Sequence, residues 1–221
     1  RIRDICDRHG VLLIHDEVMT GGGRTGRFFG AEHWDVAPDI MVLSKGFAAG
    51  YAPLGAMVAH NRIVEPVLDA GGFIHGYTYA GNPLACAAGL AVLEEIETEG
   101  LMQNAERMGA VLKSRLEGLM QRFGVIGDVR GRGLLLAFEI VADRETMTPF
   151  PRELQIHDRL VELAYDRGLI LYSRRTRGGY RGDHFLVAPP MILTEAHVEE
   201  IMEGLTGALT ELEAEIAGVP A

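Results

Sequence analysis

The chain has 221 residues, 48% hydrophobic and 24% charged, a balance that excludes wholesale disorder. Its 21 Lys and Arg against 31 Asp and Glu leave a formal net charge of −10, which argues against general nucleic-acid binding. No apolar run approaches the roughly 20 residues of a membrane-spanning helix, so no membrane role is expected.

Residues 1–9 read as the last turns of a helix, with Gly10 as its stop. A chain that begins with Arg1 inside a helix and runs directly into a strand is expected to belong to a longer protein. Val11–Ile14 is a short apolar run ending in His15-Asp16-Glu17, the pattern of a buried parallel strand. A Gly-rich turn, Gly21 to Gly26, follows. Residues 27–38 read as loop with at most one helical turn. Ile40–Leu43 and Leu54–Ala59 are two further strands, the first ending in Ser44-Lys45-Gly46.

Asn82-Pro83 opens a helix, Asn as cap and Pro at its first position, that runs to Thr98. Its Ala and Gly content predicts a close packing partner. Leu101–Phe123 is a long amphipathic helix with Met102, Ala105, Met108, Leu112, Leu116, Leu119 and Phe123 on one stripe. A strand is expected at Leu134–Ile140, led by Arg130-Gly131-Arg132-Gly133. A helix follows at Leu154–Arg167, then strands at Leu169–Ser173 and His184–Ala188 joined by an Arg-rich loop. Thr194 caps a last helix that buries Val198, Ile201, Met202, Leu205, Leu209, Leu212 and Ile216. The organisation expected is an α/β unit over residues 1–98 with a mostly parallel sheet, a connecting helix over 99–123, and a smaller α+β domain over 124–221.

Asp16 and Lys45 each follow directly on a buried-strand pattern. Ligands of open α/β sheets bind beyond the carboxyl ends of the strands, where these two converge if their strands are parallel neighbours. One reading is a salt bridge at the strand ends. The other is a pyridoxal phosphate site. A lysine at the mouth of a buried sheet condenses with the cofactor aldehyde. An aspartate keeps the pyridine nitrogen protonated, so that the ring takes up electrons released at a substrate Cα. Such a charge pair is worth about 4 kcal/mol at ~4 Å and an effective dielectric near 20.

Gly21-x-Gly23-x-x-Gly26 matches the letters of the dinucleotide fingerprint but neither leaves a strand directly nor opens a helix. No P-loop sequence is present. His15, Asp16 and Glu17 alternate faces in a strand and cannot share a metal. Cys6 and Cys86 have neither metal-ligand spacing nor a disulfide framework, and a reducing cytoplasm is expected. His75 to Pro83 leads hydroxyls and free N–H groups into a helix N-terminus, which suits a phosphate or an ordinary cap. Arg174, Arg175, Arg177 and Arg181 crowd one loop, either as a solvated basic stretch or as a clamp for a substrate carboxylate.

Taken together, His15-Asp16-Glu17-Val18-Met19-Thr20-Gly21-Gly22-Gly23-Arg24-Thr25-Gly26, Pro38-Asp39-Ile40-Met41-Val42-Leu43-Ser44-Lys45-Gly46, His75 to Pro83, and Ala188-Pro189-Pro190 before Thr194-Glu195 resemble the class III (ω-type) aminotransferases. These are fold type I enzymes that use pyridoxal 5'-phosphate (PLP). The resemblance spans essentially the whole chain. It implies that Lys45 bonds the cofactor and shuttles a proton at Cα. It also implies that Asp16 pairs with the pyridine nitrogen and that Val18 packs on one ring face. Thr78 would bind the cofactor phosphate across a homodimer interface. Ser44, just before the lysine, is a candidate for support behind it.

There are three departures. Met19 stands where members acting on ornithine or γ-aminobutyrate often carry Gln. Phe185-Leu186-Val187 stands where many carry a carboxylate-binding Arg, leaving Arg181 or Arg174 as substitutes. The Gly-rich phosphate loop and the aromatic residue that stacks on the other ring face are expected before residue 1, so the 221 residues alone are expected to bind cofactor poorly. The implied reaction moves an amino group from a primary amine or ω-amino acid to a keto acid such as pyruvate. A glutamate-1-semialdehyde-type aminomutase and a non-catalytic truncated product are the alternatives.

Overall fold

A computed structural model describes residues 1–176 and 181–217, the side chains at positions 175, 176 and 181 excepted. The chain divides into two compact units, Arg1–Gln103 and Asn104–Ala221. Among the described residues no helix is long and apolar enough to cross a membrane.

The first unit opens with helix α1, Ile2–His9, which Gly10 stops in the left-handed region at φ 63°. Strand β1, Ile14–Asp16, lies parallel to β2, Ile40–Leu43, with Asp16 opposite Val42. Strand β3, Ala56–Ala59, pairs antiparallel with β2 on its other side, so the sheet order is β1-β2-β3 and its pairing is mixed. Helices α2, Asn61–Asp69, and α3, Pro83–Thr98, complete the unit. The sequence pattern missed α2, which holds Pro66 inside it. It was right about α3, whose cap Asn82 accepts the N–H of Leu84 at 2.9 Å. The close partner expected of α3 is the segment around Phe47 and Leu54, against which Gly89 packs.

The strands differ from expectation in burial. Ile14 is 57% exposed and Met57 56%, although their runs read as buried strands. A sheet buries both faces only where layers cover both, and apolar pattern records the preference rather than the cover. What fixes this sheet locally is Asp39, just before β2. Its carboxylate accepts the Leu13 N–H at 2.7 Å, pairs with Arg3 of α1 at 2.9 Å, and pairs with Arg62 of α2. One side chain thus ties α1, the approach to β1, and α2 to the start of β2.

The second unit has a four-stranded antiparallel sheet, β4 (Ile126–Arg132), β5 (Leu135–Ile140), β6 (Tyr172–Thr176) and β7 (Arg181–Val187), in the order β4-β5-β7-β6. The Arg130–Gly133 stretch, expected as a leader, is the end and turn of a hairpin. Gly131, at φ 128°, crosses so near the partner strand that a Cβ would lie 2.1 Å from the Leu135 carbonyl oxygen. Only glycine allows that approach, and the same glycine hid the strand from a propensity reading.

Helices α4 (Leu101–Arg122), α5 (Ile156–Tyr165) and α6 (Glu195–Ile216) cover this sheet's core. Most of the expected stripes are buried, Met108, Leu112 and Leu116 on α4 and Val198, Leu205, Leu209 and Leu212 on α6, while Met102, Ile201 and Ile216 are half-buried. Phe138 and Phe185 stack across β5 and β7 at 4.9 Å. Asn104 donates to the carbonyls of Met191 at 2.7 Å and Leu193 at 3.0 Å, pinning the segment after the two prolines.

The Asp39 carboxyl is held at about 2, below its ordinary 3.8, first by the Leu13 N–H and then by Arg3. A carboxyl depressed in the folded state stabilises above its unfolded pKa, and that stability drains as pH falls toward the folded value. The thermal midpoint is therefore expected to fall between about pH 4 and about pH 2, and to fall less steeply in Asp39→Asn, as followed by circular dichroism.

Candidate active site

The parallel pairing of β1 and β2 puts their carboxyl ends at one edge. Asp16 ends β1, and Lys45 begins a short 3-10 turn, Lys45–Ala48, immediately after Ser44. The Asp16 carboxylate accepts the N–H of Val18 at 3.0 Å, a local turn that sets its direction. Asp16 and Lys45 are both exposed in this chain. They form no ion pair with each other, and Lys45 meets no other carboxylate among the described residues. The strand-end salt bridge is therefore not made.

Lys45 itself is held at φ 48°, in the left-handed region, a conformation that costs a non-glycine residue about 1–3 kcal/mol and clusters at functional sites. Its neighbours over-determine it. Ser44 donates its hydroxyl to the Leu54 carbonyl at 3.0 Å, and the Phe47 N–H reaches the Ser44 carbonyl at 3.3 Å. The Phe47 ring lies edge-on to Phe28 at 5.9 Å and against the backbone of Gly21, where a Cβ would lie 3.1 Å from the ring and 2.8 Å from the Glu17 carbonyl oxygen. The Gly-rich turn after Asp16 and the turn of Lys45 are thereby packed on each other. Sequence reasoning missed Phe47; its signal was a lone aromatic two residues beyond the lysine, opposite a glycine run.

Val18 is half-buried beside Asp16, and Met19 is 42% exposed. Thr78 stands exposed in a turn leading into α3, with Tyr77 and Tyr79 exposed on either side. No hydrogen bond joins Thr78 to the Asp16 or Lys45 segments among the described residues. The structure thus puts Asp16, followed by Val18, and Lys45 at the carboxyl ends of adjacent parallel strands, and Thr78 in the turn before α3. In the second unit the Arg174 guanidinium lies 4.9 Å over the Tyr172 ring. Arg177 and the side chains of Arg175 and Arg181 lie outside the described residues.

The sequence model of the family described as aminotransferase class-III matches residues 1–209. An uncharacterized aminotransferase of Bacillus subtilis is 44% identical over 204 residues, which is 91% of this chain and 46% of that protein. A taurine–pyruvate aminotransferase of Bilophila wadsworthia is 37% identical over 96% of this chain and 47% of its own. Among solved structures, a transaminase from a marine Virgibacillus superposes with a TM-score of 0.91 at 36% identity, covering 97% of this chain and 48% of that one. An amine transaminase from an uncultivated Pseudomonas species, solved in its PLP-bound form, superposes at 0.87 with 40% identity, over 96% and 47%.

The chain belongs to the class-III aminotransferase family, whose members depend on PLP and have the fold type I architecture. It spans a little under half the length of these relatives. The donor set fits that cofactor: an uncommitted amine for an aldehyde, a carboxylate for a ring nitrogen, and a branched apolar side chain beside the carboxylate, all on one sheet edge.

Gly21→Ala is expected to push the Glu17 carbonyl and Phe47 apart, lowering stability by about 1–3 kcal/mol in a denaturant titration, the usual cost of overpacking.

Proposed function

We propose that the protein carrying this chain transfers an amino group from a primary amine or ω-amino acid to a keto acid such as pyruvate, in two ping-pong half-reactions on PLP. The observation that carries this reading is the position of Lys45 and Asp16 at the carboxyl ends of two parallel neighbouring strands, with no ion pair between them among the described residues. When bound, the cofactor supplies an aldehyde for amines and a protonated ring that takes up the electrons released at Cα.

The residues then divide the work. Lys45 would hold the cofactor through its neutral ε-amine and would move the proton at the substrate Cα. Asp16 holds the proton on the ring nitrogen, and Val18 packs on one ring face. Thr78 would donate its hydroxyl to the cofactor phosphate of a neighbouring subunit in a homodimer, as the family resemblance implies. Arg181 or Arg174 would be the cation for a substrate carboxylate, as the family resemblance implies. Free Cys6 and Cys86 agree with a cytoplasmic location.

In the full-length protein, Lys45→Ala is expected to abolish the visible absorbance of bound PLP and all turnover; a normal chromophore in that variant overturns the role of Lys45. Free alanine formed from pyruvate distinguishes transamination from an aminomutase, which needs no keto-acid acceptor. Arg174→Ala is expected to raise KM for a carboxylated substrate by roughly tenfold and leave KM for a carboxyl-free amine unchanged, since charge-assisted hydrogen bonds contribute about 1.5–3 kcal/mol.

A further inference from the structure

We propose that Glu17 is a positioning residue for the cofactor site: its buried carboxylate holds the strand end that presents Asp16 and Val18. The proposal rests on the PLP reading of Asp16 given above.

Glu17 is only 3% exposed, and nothing in the proposed chemistry uses it. It lies between Asp16 and Val18 but on the other face, because side chains alternate along an extended strand. On that face Oε2 accepts the Gly30 N–H at 2.9 Å and the Thr20 hydroxyl, and Oε1 accepts the Ala31 N–H at 2.8 Å. Its main chain is engaged as well. The Glu17 N–H donates to the Val42 carbonyl of β2 at 2.9 Å, and its carbonyl accepts the Gly21 N–H at 2.9 Å. Gly30 leaves room for the contact, since a Cβ there would lie 3.1 Å from Oε2.

The carboxylate therefore draws the far limb of the Gly-rich loop back onto the end of β1. That matters for Asp16 because the Asp16 carboxylate is aimed by the Val18 N–H, the backbone group directly after Glu17. If the path from 16 to 18 shifts, Asp16 turns with it. Two backbone N–H groups and a hydroxyl converge on its two oxygens, and an amide would set its own N–H against one of the backbone donors. Burying a charge is costly, and three donors in place offset that cost.

The test uses the full-length protein and four variants: Asp16→Asn, Glu17→Gln, the pair together, and Thr20→Val. Two quantities are read: the dissociation constant for PLP, from titration of cofactor-free protein, and the pH midpoint of the bound visible band. Glu17→Gln is expected to weaken PLP binding by roughly tenfold, as loss of a buried acceptor does, and to move the pH midpoint in the direction that Asp16→Asn moves it. The double variant is expected to bind PLP as Asp16→Asn does, within about twofold, because residues acting through one group are not additive. Thr20→Val is expected to shift both readouts the same way by less.

Multiplying losses in the double variant overturn the proposal, since they mark Glu17 as a support independent of Asp16. So does a Glu17→Gln protein with parental affinity and midpoint. If Glu17→Gln does not fold, a folded Thr20→Val with both readouts unchanged overturns it instead. Asp16→Asn with both readouts unchanged sinks the PLP role of Asp16 itself, a result distinct from failure at Glu17.

Discussion

The arrangement depends on the parallel pairing of β1 with β2 in one register, Asp16 opposite Val42. Parallel neighbours end on the same edge, so an acid that closes one strand and an amine just past the other are brought together by backbone hydrogen bonds alone. Antiparallel pairing would send them to opposite edges. A shift of one residue would turn Asp16 to the other face and bring Glu17 forward in its place. Register is guarded from both ends. Asp39 grips the approach to β1 through the Leu13 N–H, and the Glu17 N–H carries the pairing one residue beyond the strand, onto Val42.

The two polar strand ends are treated differently by their surroundings, and the difference bears on chemistry. Asp39 is surrounded by cations and its charge is fully committed to structure. Asp16 has only a local N–H on one oxygen, and Lys45 has no carboxylate partner among the described residues. Groups left uncommitted at a strand edge, beside a lysine whose backbone is held in a strained conformation, are what a site keeps for its ligand. A protein that wanted only stability would have joined them.

Elements whose signal is local were legible. The stripes of α4 and α6, the Asn82-Pro83 start of α3 and the Gly10 stop of α1 all follow from periodicity and capping, which the sequence carries within a few residues. Where elements went unread, a distant contact decided. Helix α2 forms despite Pro66. Strand β4 ends in a stretch whose glycine is forced by the neighbouring strand. The β1–β2–β3 strands carry the apolar pattern of burial while several of their residues stand exposed. Strand-end pattern singled out Asp16 and Lys45, and motif spelling carried the family and the further candidates Val18 and Thr78. It was silent on Phe47 and on what Glu17 holds.

Residue identity alone therefore determined which groups are available for chemistry: a carboxylate and an amine at strand ends, glycines between them, and helices whose apolar faces must be covered. Tertiary structure decided how those groups stand: that β1 and β2 run side by side in one direction, that Lys45 sits in the left-handed region, and that Glu17 turns inward while Asp16 faces out. The physical reason is that propensity and capping act over a few bonds. Strand register, backbone strain and the burial of a charge depend on atoms far apart in the chain.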